Sequence, residues 1–252
     1  MRKTLLIAAS ALAASVISSQ AQVYSQNIVG YVNVPIPALY SFVANPLGNG
    51  NDSATNFFDV HSGNQDGTLI LTWNVTKYNQ VQVDSTSSTG FSDPNATINP
   101  ERPAPILHPG TGWLVNNQTP LFLTNITFVG TVVVGGPGAS TNVVGLTTNV
   151  ITSSPTLNLV ASILPIGGGV TTTLQLHNPG GALDGTYFLL PRMVSGLIRG
   201  YNEVQFDSGS STGFSDPNAT INPERPEPSY PVGASFFINN QSGAPIYWTQ
   251  SL

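Results

Sequence analysis

The chain has 252 residues, with 7 Lys+Arg, 12 Asp+Glu, 3 His, no Cys, 25 Gly and 20 Pro; 40% of residues are apolar and only 8% are charged. That mixture excludes disorder, which needs low hydrophobicity and high net charge, and zero Cys excludes disulfide scaffolds, zinc-thiolate sites, iron–sulfur clusters and cysteine nucleophiles. A formal net charge of −5 and a pI near 4.9 give no electrostatic case for nucleic acid or an anionic membrane surface.

Arg2 and Lys3 form a short basic segment, Leu5–Ile17 is an apolar stretch, and Ser19-Gln20-Ala21 places small residues where a signal peptidase reads. The sequence therefore predicts a secretory signal peptide over residues 1–21, cleaved near Ala21. The stretch is shorter than the ~20 apolar residues that a bilayer requires, so no membrane insertion is expected. Loss of Arg2 and Lys3 leaves 5 basic against 12 acidic residues, a formal net charge of −7. The expected location is the periplasm, the cell surface or the medium of a bacterium.

An internal repeat organises the rest of the chain. Ser88–Pro103 (STGFSDPNATINPERP) recurs unchanged as Ser211–Pro226, offset by 123 residues, inside an ungapped match of Tyr78–Gln118 onto Tyr201–Gln241. Farther upstream, Ser41-Phe-Val-Ala-Asn-Pro-Leu resembles Asn158-Leu-Val-Ala-Ser-Ile-Leu, and His61…Asp66-Gly-Thr resembles His177…Asp184-Gly-Thr. Gly135-Gly-Pro-Gly-Ala-Ser-Thr cannot continue a strand ladder. The predicted organisation is a first repeat over 22–134, a Gly/Pro linker over 135–145 and a second repeat over 146–252, each of about 110 residues and large enough for one core.

The periodicity is that of strands. Phe122, Ile126, Phe128, Val132 and Val134 share one parity, while Thr68–Val75 and Ser235–Asn239 are β-branched or aromatic runs ended by turn residues. These patterns predict an all-β protein of two tandem, related antiparallel β-sandwich or jelly-roll-like domains.

Several segments carry a family resemblance. Gln26-Asn-Ile-Val-Gly-Tyr-Val-Asn-Val, Phe42-Val-Ala-Asn-Pro-Leu, the strand ending at Trp73-Asn, Pro109-Gly-Thr-Gly-Trp-Leu-Val-Asn-Asn, Thr127-Phe-Val-Gly-Thr-Val, Val160-Ala-Ser, Val232-Gly-Ala-Ser-Phe-Phe and Tyr247-Trp-Thr are similar to segments of uncharacterised exported two-part β proteins common in verrucomicrobial bacteria. The resemblance spans nearly all of the chain beyond the leader. It implies a secreted two-part β protein and transfers no activity, cofactor or catalytic residue.

Within the repeated segment, Asp93, Asn95, Thr97, Asn99 and Glu101 alternate, as do Asp216, Asn218, Thr220, Asn222 and Glu224. Oxygen ligands at every second position suit a calcium loop. Against calcium, the sixth position holds Ile98 or Ile221 in place of Gly, and the twelfth holds Ala104 in the first copy, with an acid, Glu227, only in the second. The competing reading, which the spacing favours, is a rigid loop capped at Asp93-Pro94 and Asn99-Pro100 and pinned by Phe91 and Pro103.

His61 and His177 precede matching Asp-Gly turns, and His108 stands alone; no G-x-S-x-G context or His-x-x-x-His pairing accompanies them. Trp73, Trp113 and Trp248 could form a sugar-stacking platform, although Trp113 aligns with Phe236 and reads better as core. A Lys–Asn isopeptide bond would need a core Lys, and only Lys77 remains after the leader. No enzyme is expected. The sequence points to a non-catalytic surface or matrix module that self-associates through sparsely charged strand edges, with a glycan-binding module, assisted by calcium at the repeated loop, as the alternative.

Overall fold

The structure, a computed structural model, describes residues 29–74, 76–96, 98, 100–132, 146–152, 157–219, 221 and 223–252. The expected signal peptide, the Gly/Pro linker and Val134 lie outside the described residues, as do Thr97, Asn99, Thr220 and Asn222.

The first half contains β1 (Val29–Pro35), β2 (Leu39–Ala44), β3 (Leu69–Asn74), β4 (Lys77–Val83), β5 (Phe91–Ser92), β6 (Gly112–Asn117) and β7 (Asn125–Thr131). Five of these form an antiparallel sheet in the order β2-β6-β3-β4-β5, and β1 pairs with β7 in a separate two-stranded sheet. The second half contains β8 (Leu146–Ile151), β9 (Leu157–Ala161), β10 (Gly168–Gly169), β11 (Tyr187–Val194), β12 (Leu197–Phe206), β13 (Phe214–Ser215), β14 (Ser229–Tyr230), β15 (Ser235–Asn239) and β16 (Ile246–Ser251). Its five-stranded sheet runs β9-β15-β11-β12-β13, a two-stranded sheet pairs β8 with β16, and a second, shorter one pairs β10 with β14. The strand order is the same in both halves once β2 is matched with β9, β6 with β15, β3 with β11, β4 with β12 and β5 with β13. Two short 3-10 turns, Ala54–Asn56 and Pro179–Gly181, are the helical elements among the described residues.

Each half is a sandwich of its five-stranded sheet against a two-stranded one, β1–β7 in the first and β8–β16 in the second. In the first, Val34, Ile126 and Phe128 on the two-stranded sheet bury against Val43, Ile70, Trp113 and Val115 on the five-stranded one. In the second, Ile151, Ile246 and Trp248 bury against Val160, Phe188, Val204, Phe236 and Ile238. The two-residue period of a strand explains this: alternate residues of β7 and of β16 are buried and the intervening ones exposed. Phe122 departs from the expected parity. Its amide closes a turn onto the Thr119 carbonyl, 2.9 Å away, and its ring is exposed, so the strand starts at Asn125.

The strand β6 is buried along its whole length because its second face meets the other half. Leu71, Leu114, Leu159 and Phe237 form a core cluster of their own, joined by Tyr40, Phe42, Trp73, Tyr78, Leu189 and Ile198. The outer faces of the two five-stranded sheets thus make a third hydrophobic layer, here called the seam. Its backbone ties are reciprocal: the Ala44 amide donates to the Gly233 carbonyl (2.8 Å) and the Ala161 amide to the Gly110 carbonyl (3.0 Å). Such exchange of like for like is how the interface of a two-fold dimer is built. The approach is close enough that a Cβ on Gly112 would stand 2.6 Å from Cβ of Ser235.

One element breaks the symmetry. The β11–β12 hairpin is longer than β3–β4, and its tip reaches back over β2, where the Tyr40 amide donates to the Gly196 carbonyl at 3.3 Å.

Candidate functional site

The two repeated segments fold alike and bond to themselves. Asp93 Oδ1 accepts from the Asn95 amide (2.9 Å), and its Oδ2 pairs with the Arg102 guanidinium (2.7 Å). Glu101 turns the other way and accepts from the amide and hydroxyl of Ser88, at 2.8 and 2.9 Å. Thr89 closes the loop base by donating to the Arg102 carbonyl. In the second copy Asp216 takes the Asn218 amide and Arg225, Glu224 takes Ser211, and Thr212 donates to the Arg225 carbonyl. The Asn218 side-chain nitrogen also donates to Glu203, where the first copy has Gln80. The side-chain cap expected at Asp93 is present, and Phe91 is fully buried as an anchor, whereas Pro103 is exposed. The twelfth-position acid Glu227 faces elsewhere, accepting from the amides and hydroxyls of Thr171 and Thr172.

The carboxylates of the expected ligand set are therefore engaged by donors of their own loop, and no group of three or more His, Asp or Glu able to hold a metal occurs among the described residues. The electrostatics follow the geometry. Ser88 holds Glu101 below the usual carboxylate range, Ser211 does so for Glu224, and Asp216 is lowered by Arg225 and then by the Asn218 amide. Burial alone would raise Asp184 and Glu227, but hydrogen bonds from Ser208 and Asn178, and from Thr171 and Thr172, outweigh it and leave both lowered.

A carboxylate that is depressed in the folded state binds fewer protons there than in the unfolded chain. Its stabilisation is full above the unfolded pKa and is lost as pH falls through the folded one. Stability is accordingly expected to be flat through the neutral range and to drop below about pH 4. Urea midpoints recorded from pH 7 to pH 2 check this; a midpoint unchanged at pH 2 contradicts it.

The duplication supplies its own control for loop strain. Gly90 and Gly213 hold the same place with φ of +77° and +78°. A Cβ on Gly90 would lie 2.5 Å from Cβ of Val60, whereas nothing lies within 4 Å at Gly213. Gly213→Ala should cost about 1 kcal/mol for the left-handed backbone alone, and Gly90→Ala roughly 2 kcal/mol more for the clash. Equal losses of thermal midpoint in the two variants would refute that difference.

The remaining sequence candidates separate. His61 and His177 are exposed, and His108 Nδ1 lies 3.1 Å from Asp52 Oδ2 at the surface. Trp113 and Trp248 are buried in the two cores, and Trp73 is half-buried in the seam, its Nε1 donating to the Leu157 carbonyl at 2.6 Å. These three rings form no platform. Lys77 is exposed on β4.

What sequence reasoning missed is a cleft along the seam, lined by Tyr40, Tyr78, Tyr201, Gln80, Arg199 and the apolar floor of Leu71, Leu114 and Ile198. Tyr78 and Tyr201 mark the start of the ungapped match in each repeat, and the fold brings these two counterparts together. Burial raises the Tyr78 phenol, with further rises from the neighbouring phenols of Tyr201 and Tyr40. The long β11–β12 hairpin supplies Arg199 on one side only.

Fold and seam together define an all-β protein of paired sandwiches. No protein-family model matches the chain, nor does any curated protein or solved structure.

Proposed function

We propose that the protein is a non-catalytic module, exported to the cell surface or extracellular matrix and built by duplication of one sandwich, whose work is structural or adhesive. One observation carries the reading: each of the 12 carboxylates in the chain accepts a hydrogen bond from the fold. Asp66 and Asp184, for instance, each take the amide and hydroxyl of a serine, Ser85 and Ser208, in the same arrangement. A general acid or nucleophile must keep an oxygen for the substrate; in eight of the twelve, all but Asp59, Asp84, Glu203 and Asp207, both oxygens are engaged. Among the described residues no helix is long and apolar enough to cross a membrane.

Two measurements test the reading. Fractionation of the producing cells with an antibody should recover the protein from the envelope or the medium, and recovery from the cytoplasm would remove it. A thermal melt of residues 22–252 in calcium and in EDTA should give one midpoint. A calcium-dependent rise of several degrees would mean that the ion binds the native state and displaces the bonds that seal the repeated loops, which favours the calcium-assisted alternative.

A further inference from the structure

We infer that the seam cleft binds an acidic saccharide, a pyranose chain bearing carboxylates of the uronic-acid class. The cleft encloses about 440 Å³, within the range of small-molecule sites. Its floor of Leu71, Leu114 and Ile198 and the rings of Tyr40, Tyr78 and Tyr201 suit the C–H face of a sugar ring. The phenols and the Gln80 amide offer neutral hydrogen bonds to ring hydroxyls. Burial raises Tyr201 as well as Tyr78, so both hydroxyls remain donors throughout the neutral range.

The charge pattern selects an acidic sugar over a neutral one. Every Asp and Glu of the chain is among the described residues, and the ion pairs they form engage Arg102, His108 and Arg225. None engages Lys77, Arg192 or Arg199. Lys77 adjoins Tyr78 in sequence, Arg199 lines the cleft, and Arg192 donates to the Arg199 carbonyl at 3.2 Å. In a chain of net charge −5, Arg199 alone of these three cations lines the groove, and it does so with no carboxylate partner. An exposed guanidinium beside neutral phenols is a fork for a carboxylate.

The inference deepens the interaction-module reading, and its test keeps the two separable. Trp73, with its ring centroid 4.9 Å from that of Tyr78, reports on the cleft by fluorescence. Titration with trigalacturonate should change that emission saturably, galactotriose should bind at least roughly tenfold more weakly, and Arg199→Gln should lower trigalacturonate affinity by roughly tenfold. Arg199 is exposed, so the variant should fold, and an unchanged melt confirms it. Equal binding of both trisaccharides, indifference to Arg199→Gln, competition by acetate at the same concentration, or no binding at millimolar sugar would each overturn the inference. Release of new reducing ends from trigalacturonate would leave the site in place and overturn the non-catalytic reading instead.

Discussion

Replacing Phe237 by alanine is expected to remove about 3–5 kcal/mol of stability and to uncouple the two halves. The ring is 2% exposed and sits at the middle of the seam. It meets Phe42, Trp73, Tyr78 and Tyr201 edge-on, with centroid separations of 5.9, 5.3, 6.5 and 6.1 Å. Three of those four partners belong to the other half, so truncation opens a cavity where the sheets meet and nowhere else. For a chain of this size the loss corresponds to roughly 10 °C in midpoint. The comparison is Phe236→Ala, whose ring stacks on Tyr230 at 4.2 Å inside the second sandwich. Both should be costly, but only Phe237→Ala should split one calorimetric transition into two. A single transition in the Phe237 variant, shifted no more than in exposed Tyr247→Ala, would show that the seam does not join the halves.

The second large effect is expected at a buried amide that occurs twice. Asn117 donates to the carbonyls of Ile36 (3.0 Å) and Leu123 (2.7 Å) and accepts from the Thr119 amide (3.0 Å). Asn240 does the same with Ile151, Ala244 and Ser242, at 3.2, 2.7 and 3.0 Å. Each side chain ties the last strand of the five-stranded sheet to the chain that leads into and out of the two-stranded one. Alanine leaves two carbonyls and an amide unpaired in a dry environment, and a stranded buried group costs about 1–3 kcal/mol. Each single substitution should therefore cost roughly 3 kcal/mol, and because the two sites share no partner, the double variant should lose about the sum. Urea unfolding of the two single variants and the double decides it. A loss under about 1 kcal/mol at either site would mean that water replaces the amide there.

Much of this architecture could be read from the sequence, for identifiable reasons. Alternation in Ile126, Phe128 and Val132 pointed to a half-buried strand because one face of the β1–β7 sheet is solvated. The cap at Asp93 was legible because its partner, the Asn95 amide, is two residues away. Its ion pair with Arg102 and the bond from Ser88 to Glu101 were not, since they depend on how the loop closes over itself. The seam was hidden for a related reason. Thr68-Leu-Ile-Leu and Ser235-Phe-Phe-Ile lack the polar alternation of a sheet with one wet face, which is a sign of burial on both, but an apolar run does not name its partner. With the seam unseen, the cleft could not be placed, because Tyr78 and Tyr201 lie 123 residues apart and Arg199 gains meaning only when the hairpin folds over β2.

The pairing of Tyr78 with Tyr201 has one more consequence. Two identical subunits meeting at such a point would present identical rims, and a linear molecule laid across them could be turned end for end without penalty. Joining the halves in one chain let the rims diverge: Thr76 and Lys77 stand where the second copy has Arg199 and Gly200. A groove with a guanidinium, that of Arg199, on one bank only has a head and a tail, so a chain lying in it would be held in one direction.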